Sequence, residues 1–283
     1  LDGEQIEKEV MLPIPIKDNS EHRYVGKAIP RPDIEEMVRG QATYIQDLRF
    51  PGMLHARVVR PPGYTSQLIS LDDTGLKSEV SGIIKTVRKG SFVGVITERE
   101  YQAVKAEQYL KDHSIWTAPI PFPKSENLYA HIKLIASSPE TVKNEGDVAA
   151  AFEGTETLKA TYTKPYIKHA SMGPACGIAM FDGEILHIWS HSQGIYPMRE
   201  ALATMLNMEP DKIHIKSVPG AGCFGHSTAD DAAADAALLA MEYPNTHIRV
   251  QWSRHDEHLW DPYGPAMITE LEDGGVEIDF DPM

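Results

Sequence analysis

The sequence predicts an α+β protein built from two units. Two observations predict this class: segments typical of strands are interspersed with amphipathic segments of helical periodicity, and a proline-rich stretch interrupts this pattern before the middle of the chain. With 283 residues, the chain is long enough for one large domain or two ordinary ones. Its 42% hydrophobic and 24% charged residues are typical of a globular rather than a disordered protein.

The first unit is predicted at residues 24–118, after a charged N-terminal extension at 1–23. HARVVR from residue 55 is typical of a strand, and IIKTVRKG followed by SFVGVI predicts two strands joined at a Lys-Gly turn. Residues 98–113 predict an amphipathic helix. We expect its apolar face to carry Tyr101, Val104, Ala106, Tyr109 and Leu110.

The second unit is predicted at residues 119–283. The boundary lies in TAPIPFP, at 117–123, where three prolines in seven residues keep the backbone extended. TLKATYTKPY predicts a strand with one buried face, and IAMFDGEILHIWS predicts two strands around Asp182-Gly183. Pro197 is placed to open a helix, which is followed by a strand at KIHIKSV, a helix from about 228 to 241 and a strand at THIRVQW.

A glycine-rich loop precedes the 228–241 helix. Gly220, Gly222 and Gly225 have the GxGxxG spacing, and Ser227 followed by Asp230 predicts a capping box, so backbone N–H groups there would form a cradle for an anion. Two features argue against a dinucleotide: acidic residues at 230 and 231 in the first helical turn, and a preceding strand that alternates apolar with polar residues. A purely structural role, in which the glycines allow close packing of the helix on the strand, is the alternative.

A second loop of the same kind is SHSQGIYP, at residues 190–197. It also leaves a predicted strand and enters a predicted helix, so its Gln193 amide is expected near the glycine loop at one edge of the sheet. Two such loops at one edge form a crevice that suits a ligand. Taken alone, Gln193 is equally compatible with an ordinary loop hydrogen bond.

Together, these loops resemble a known family. The run HSQGIYPMREALATMLNMEPDKIHIKSVPGAGCFG with the alanine-rich helix after it is similar to the first molybdenum-cofactor-binding domain of the large chains of the xanthine dehydrogenase/aldehyde oxidoreductase family. Residues 25–62 resemble the α/β-hammerhead domain of the same family. GAGCFGHSTADDAAADAALLA and RVQWSRHDEHLWDPYGPAM resemble most the branch that contains nicotinate dehydrogenase and isoquinoline 1-oxidoreductase beta chains.

The resemblance implies a hammerhead domain, the first part of a molybdopterin-binding domain, and a cofactor that is molybdopterin or its cytosine dinucleotide. In the family, a Gln and a Phe-Gly line the pterin and its metal oxo group, and no protein side chain need bind the metal. The cofactor-binding residues expected here are Gln193, Gly222, Cys223, Phe224, Gly225 and His226.

The implied activity is oxidation of an N-heteroaromatic ring or an aldehyde with oxygen from water. The large chains of the family continue into a second cofactor-binding domain that carries the glutamate base, so we expect no catalytic residue in this chain and no activity from it alone. The implied partners are that second domain or chain, a [2Fe–2S] subunit and, in this branch, a c-type cytochrome. His226 and Thr228 replace a family glycine and the acidic residue of xanthine-oxidising members, which disfavours purine substrates.

Composition limits the other functions. The 41 acidic and 27 basic residues give a net charge of −14, which disfavours nucleic acid as a partner. Two cysteines, Cys176 and Cys223, are too few for a disulfide framework, a four-cysteine zinc site or an iron–sulfur cluster. No targeting segment is recognised, and the compartment, cytoplasm or periplasm, is left open.

Two further segments have open interpretations. RHDEH, at residues 254–258, is expected to be a charged loop rather than a metal site. KHASMGPA resembles the HxxMxP segment that lies beside the family's cofactor, through His169, Met172 and Pro174, or is a bend with a packed methionine. An NAD-binding oxidoreductase domain and a non-catalytic assembly module are the alternatives for the whole chain.

Overall fold

The structure, a computed structural model, describes residues 16–154 and 156–274. It divides into two units, residues 1–42 and 43–283. In the first unit, a short 3₁₀ turn capped by Asp18 precedes helix α1 (Ile34–Val38). Most of the predicted extension at 1–23 lies outside the described residues.

The second unit contains the sheet and the helices that cover it. Its elements, in chain order, are β1 (Leu54–Val59), β2 (Leu68–Leu71), α2 (Leu76–Glu79), β3 (Ile83–Lys89), β4 (Phe92–Thr97), α3 (Glu100–Asp112), β5 (Ser114–Trp116), α4 (Leu128–Leu134), α5 (Val148–Phe152), β6 (Thr157–Lys164), β7 (Cys176–Phe181), β8 (Leu186–Ser190), α6 (Ile195–Leu206), β9 (Ile213–Ser217), α7 (Ala229–Glu242), β10 (Ile248–Gln251), α8 (Arg254–Trp260) and β11 (Met267–Gly274).

Seven of these strands form one mixed sheet in the order β3-β4-β1-β10-β7-β8-β9. The β1–β10 and β8–β9 pairs are parallel, and the other neighbours are antiparallel. Two small antiparallel ribbons, β2–β5 and β6–β11, accompany it. This combination of a mixed sheet with helices confirms the predicted α+β class.

The helices cover both faces of the sheet. Alanines of α7 form a core with residues of β1, β7, β8 and β10, and α6 joins it beside β9. On the opposite face, α3 packs on β1 and β4 through Ala106 and Leu110. The segment around Ile45 covers that same face of β7 through Cys176 and Ile178.

Helix α7 lies unusually close to the sheet because two strand residues beneath it are glycines. A Cβ on Gly177 would lie 2.6 Å from the α7 backbone, at Ala232 O and Ala233 Cα. A Cβ on Gly94 would lie 2.7 Å from Leu239 Cδ2. Close packing of this helix on the strands therefore depends on strand glycines.

The sheet crosses the predicted domain boundary. Strand β1, from the predicted first domain, pairs with β10, from the predicted second, with Leu54 opposite Ile248. The compact unit that begins at Thr43 therefore includes both sides of the 117–123 segment. The assignment of 24–118 and 119–283 to two family domains stays a prediction.

Three local expectations differ from the structure. Tyr101 of α3 is 68% exposed, and the buried residues of that helix are Ala103, Ala106 and Leu110. Strand β6 pairs with β11 but has no fully buried face, since seven of its eight residues are exposed. Within the described residues, no helix combines the length and apolar character needed to cross a membrane.

Candidate functional site

The glycine loop, residues 218–228, connects β9 to α7. Three of its backbone groups are fixed by neighbouring segments: Val218 N–H donates to Ser190 O at 2.9 Å, Pro219 O accepts from Ile45 N–H at 2.8 Å, and Ala221 O accepts from the 172 amide at 2.9 Å. By contrast, none of the backbone N–H groups from 220 to 228 donates a hydrogen bond to another described residue. The loop is thus held at its start and through two carbonyl groups, while the N–H groups of 220–228 have no acceptor among the described residues.

The middle of the loop is conformationally constrained. Gly222 and Gly225 have φ values of 94° and 135°, which glycine adopts without steric cost. Phe224, with φ of 56°, is also left-handed, and its side chain is 65% exposed. The Cys223 thiol donates to Gly225 O at 3.2 Å. The Phe224 ring lies over Gly222, where a Cβ would be 3.2 Å from its Cζ atom, and leaves its other side exposed.

The KHASMGPA segment lies directly against this loop. A Cβ on Gly225 would lie 2.4 Å from His169 Cδ2, and Met172 N–H supplies the hydrogen bond to Ala221 O. His169 Nδ1 is buried without a hydrogen-bond partner. Met172 is 77% exposed, so the alternative of a packed methionine at a bend is wrong.

The Gln193 loop lies at the same edge of the sheet, because β8 and β9 are parallel and adjacent. Ser190 Oγ accepts from the Ser192 amide at 3.1 Å, and Ser192 Oγ accepts from the Gly194 amide at 3.0 Å. These serines hold the loop in shape before α6 begins at Ile195, with Pro197 in its first turn. The predicted position of Gln193 beside the glycine loop is the observed one.

A cavity of about 550 Å³ lies between the two loops and helices α6 and α7. Gln193 and His226 line it, whereas Gly222, Cys223, Phe224 and Gly225 are not among its lining residues. Its wall continues along α6 through Met198, Leu202 and Met205 and along α7 through Asp230, Asp231 and Ala234. The apolar stripe of α6 thus contributes to the crevice, a role that helical periodicity alone does not reveal.

The N-terminus of α7 carries unused polar groups. Thr228 is the N-cap residue, but no side chain caps the helix, so the predicted capping box between Ser227 and Asp230 is wrong. Thr228 Oγ1 and Asp230 Oδ1 are both buried without hydrogen-bond partners. The first amides of the helix and the Thr228 hydroxyl therefore face the loop and have no hydrogen-bond acceptor among the described residues.

The strand before the glycine loop is not the central strand of a dinucleotide-binding fold. β9 lies at the edge of the sheet, with β8 as its neighbour, and its side chains alternate between buried and exposed only at its start. The acidic residues at 230 and 231 lie in the first turn of α7 and line the cavity. Both observations argue against NAD.

The RHDEH segment forms helix α8, not the predicted loop. Ser253 caps it and forms a capping box with Asp256, a signal that the sequence contains. Glu257 is buried, accepts the Ala175 amide at 2.7 Å and pairs with Arg254, so its role is structural. Across the described residues, no group of three or more His, Cys, Asp or Glu is placed to hold a metal ion.

The chain matches the family model described as "Molybdopterin cofactor-binding domain" over residues 133–275. A nicotinate dehydrogenase chain of Pseudomonas putida is 36% identical over 280 residues, which are 94% of this chain and 23% of that protein. The beta chain of isoquinoline 1-oxidoreductase from Brevundimonas diminuta is 26% identical, over 94% of this chain and 35% of its own length. The chain thus spans about a quarter to a third of the length of these relatives.

Solved structures show the same fold. Quinoline 2-oxidoreductase from Pseudomonas putida 86 superimposes with a TM-score of 0.68 at 15% identity, over 87% of this chain and 37% of that one. Aldehyde oxidoreductase from Desulfovibrio gigas gives a TM-score of 0.68 at 15% identity, over 86% of this chain and 32% of that one. The family model and the 36% identical nicotinate dehydrogenase chain show that this chain belongs to the xanthine dehydrogenase-type family of molybdopterin cofactor-binding proteins.

Proposed function

We propose that this chain forms one wall of a molybdopterin site in a molybdenum hydroxylase. The observation that carries the proposal is the run of backbone N–H groups from 220 to 228 that have no acceptor among the described residues. A cofactor rich in phosphate and oxo oxygens offers the acceptors that this loop lacks. The buried, unpartnered Thr228 hydroxyl is one more donor at the same place.

The proposed binding residues divide into two groups. The Gln193 amide and the His226 ring line the cavity and are placed to hydrogen-bond cofactor oxygens. Gly222 and Gly225 have no side chain to cover the loop amides, and the side chain of Cys223 is small. The exposed Phe224 ring covers one side of a planar ligand. When bound, the cofactor supplies the two-electron redox chemistry, and this chain binds and orients it.

The substrate is proposed from the relatives. Their names refer to nicotinate, isoquinoline and aldehydes, and an apolar cavity wall formed by α6 suits a flat or apolar molecule. We propose oxidation of an N-heteroaromatic or aldehyde substrate with water-derived oxygen.

We propose that turnover requires other polypeptides. Those expected are a second molybdopterin-binding domain or chain, a [2Fe–2S] subunit and a c-type cytochrome, because the family resemblance implies that the glutamate base lies in a second domain. Residues 1–283 on their own are then expected to be inactive and to retain little cofactor, because the proposed second domain or chain supplies the other wall of the site.

The decisive experiment is metal and pterin analysis of the chain purified with its co-expressed partner chains. We expect molybdenum and pterin in equal amounts, and Gln193→Ala to lower both. Gln108→Ala is the matched control, because Gln108 lies on the exposed side of α3 and bonds only Asp112. A complex that forms normally and contains no molybdenum contradicts the proposal. If bound NAD were found instead, the dinucleotide alternative would replace it.

The assembly-module alternative makes a different prediction. If the glycine loop serves only packing, Phe224→Ala should change neither the molybdenum content nor partner affinity. Under our proposal, the same change leaves partner affinity intact but lowers cofactor retention.

A further inference from the structure

His191 lies where β7, β8 and the glycine loop meet. It follows the last residue of β8, Ser190, which pairs with Gly177 of β7. Beyond that pair the two strands separate, and the Cys176 N–H donates to His191 Nε2 at 3.3 Å. The imidazole therefore accepts the hydrogen bond that a strand residue would accept at this end of the ladder. To accept it, the ring must be neutral, with its proton on Nδ1.

The same ring fills the space over Gly220. A Cβ on Gly220 would lie 2.4 Å from His191 Nδ1 and 2.7 Å from His191 Cβ. Because His191 Cβ is fixed to the backbone, rotation of the ring relieves only part of this overlap. Gly220 and His191 are thus matched in size, and the loop comes this close only because residue 220 has no side chain.

Both sides of this contact are held by separate hydrogen bonds. Val218 N–H donates to Ser190 O at 2.9 Å, and Ser190 Oγ lies 3.4 Å from Ala229 O at the start of α7. Burial lowers the pKa of His191, while the charge of Asp230 acts in the opposite direction. The lowered pKa favours the neutral ring that the Cys176 hydrogen bond needs.

We propose that His191 is a positioning residue that sets the separation between the Gln193 loop and the glycine loop. It does so by accepting the Cys176 N–H and by occupying the space over Gly220. The inference rests on the proposed function in one respect: the ligand whose site it shapes is the cofactor held by the two loops. His191 itself is not among the residues that line the cavity.

The first test measures amide hydrogen exchange in the full 283-residue chain, without cofactor. His191→Leu removes the acceptor and should speed exchange of the Cys176 and Val218 amides by about tenfold or more. His191→Gln keeps an acceptor oxygen and should restore protection to within about threefold of the native chain. The β3–β4 hairpin, at the opposite side of the sheet, serves as the internal control and should not change. Unchanged exchange at Cys176 and Val218 in His191→Leu overturns the proposal.

The second test is a size swap between the two residues. Gly220→Ala should displace the loop and lower the molybdenum content of the assembled enzyme. Adding His191→Gly should restore part of that content, whereas adding His191→Ala should restore less, because its Cβ still overlaps the new methyl group. Equal effects of the two second substitutions contradict the size match.

The two tests separate this proposal from the proposed function. If the complex contains no molybdenum but the exchange pattern responds to His191 as expected, the proposed function fails and the positioning role stands. If molybdenum is present and neither the exchange pattern nor the size swap responds, the positioning role fails alone.

Discussion

The glycine loop and helix α7 are consecutive in the chain, yet they are fixed in opposite ways. Eight of the fourteen residues of α7 are buried, and the helix rests on strand glycines at van der Waals distance. The loop before it keeps nine consecutive amides without an acceptor in the described chain and holds Phe224 in a left-handed conformation. The protein's own packing specifies the helix, whereas we propose that the loop is shaped for a group outside the chain.

The largest expected effect concerns a buried ion pair of α7. Asp235 is 5% exposed, pairs with Arg60 and accepts from Trp252 Nε1 at 2.9 Å. Asp235→Ala leaves the Arg60 charge buried without its partner and should lower the free energy of unfolding by about 3–5 kcal/mol. Chemical denaturation measures it, with Asp73→Ala, an exposed aspartate away from α7, as the control. Equal small losses of unfolding free energy in both variants would show that buried contacts do not specify the helix.

A smaller loss is expected where α7 touches β7. Gly177→Ala places a methyl group 2.6 Å from helix backbone atoms that have little freedom to move, and should cost about 3 kcal/mol. Gly194→Ala is the matched control, since its Cβ meets Pro197 at 3.7 Å, an ordinary contact. The free energy of unfolding from denaturant titration distinguishes them. A tolerated Gly177→Ala would mean that the helix can shift away from the sheet.

The other face of the sheet should show a pH effect. Burial, and then the charge of Asp256, raises the pKa of Glu107 on α3 from 4.5 to about 7. Because the folded state holds this proton more tightly than the unfolded state, stability should fall as pH rises between about 4.5 and 7, by about 3 kcal/mol. Glu107→Gln should remove that part of the slope in unfolding measurements. An identical slope in the variant would exclude Glu107 as its source.

The smallest expected stability change is in the loop. Phe224→Gly removes an exposed ring and relieves a left-handed residue, so the free energy of unfolding should stay within about 1 kcal/mol of the native value. The same variant should lose cofactor from the assembled enzyme, as measured by its molybdenum content. A large loss of stability would remove the contrast between loop and helix.

Much of this architecture is predictable from the sequence because its signals are local. The hairpin around Asp182-Gly183, the strand HARVVR and the alanine-rich helix all lie where periodicity and turn residues place them. The convergence of the Gln193 loop and the glycine loop is also predictable, since consecutive strand–loop–helix units place such loops at one edge.

The remaining features depend on long-range contacts. The pairing of β1 with β10 joins distant segments and leaves no trace in either segment's own pattern. The left-handed Phe224 and the overlap between Gly220 and His191 arise from tertiary geometry. Helix α8 was predictable in principle, because Ser253 and Asp256 have capping-box spacing, but its dense charge favoured a loop.

The parallel pairing of β1 with β10 also constrains biosynthesis. Leu54 has no strand neighbour on that side until Ile248 has left the ribosome. An emerging chain therefore exposes that edge of β1 until β10 is made, and such an edge invites pairing with other chains. Expression of N-terminal fragments that stop before β10 should yield aggregates, and a chaperone that shields strand edges should improve the yield of the whole chain.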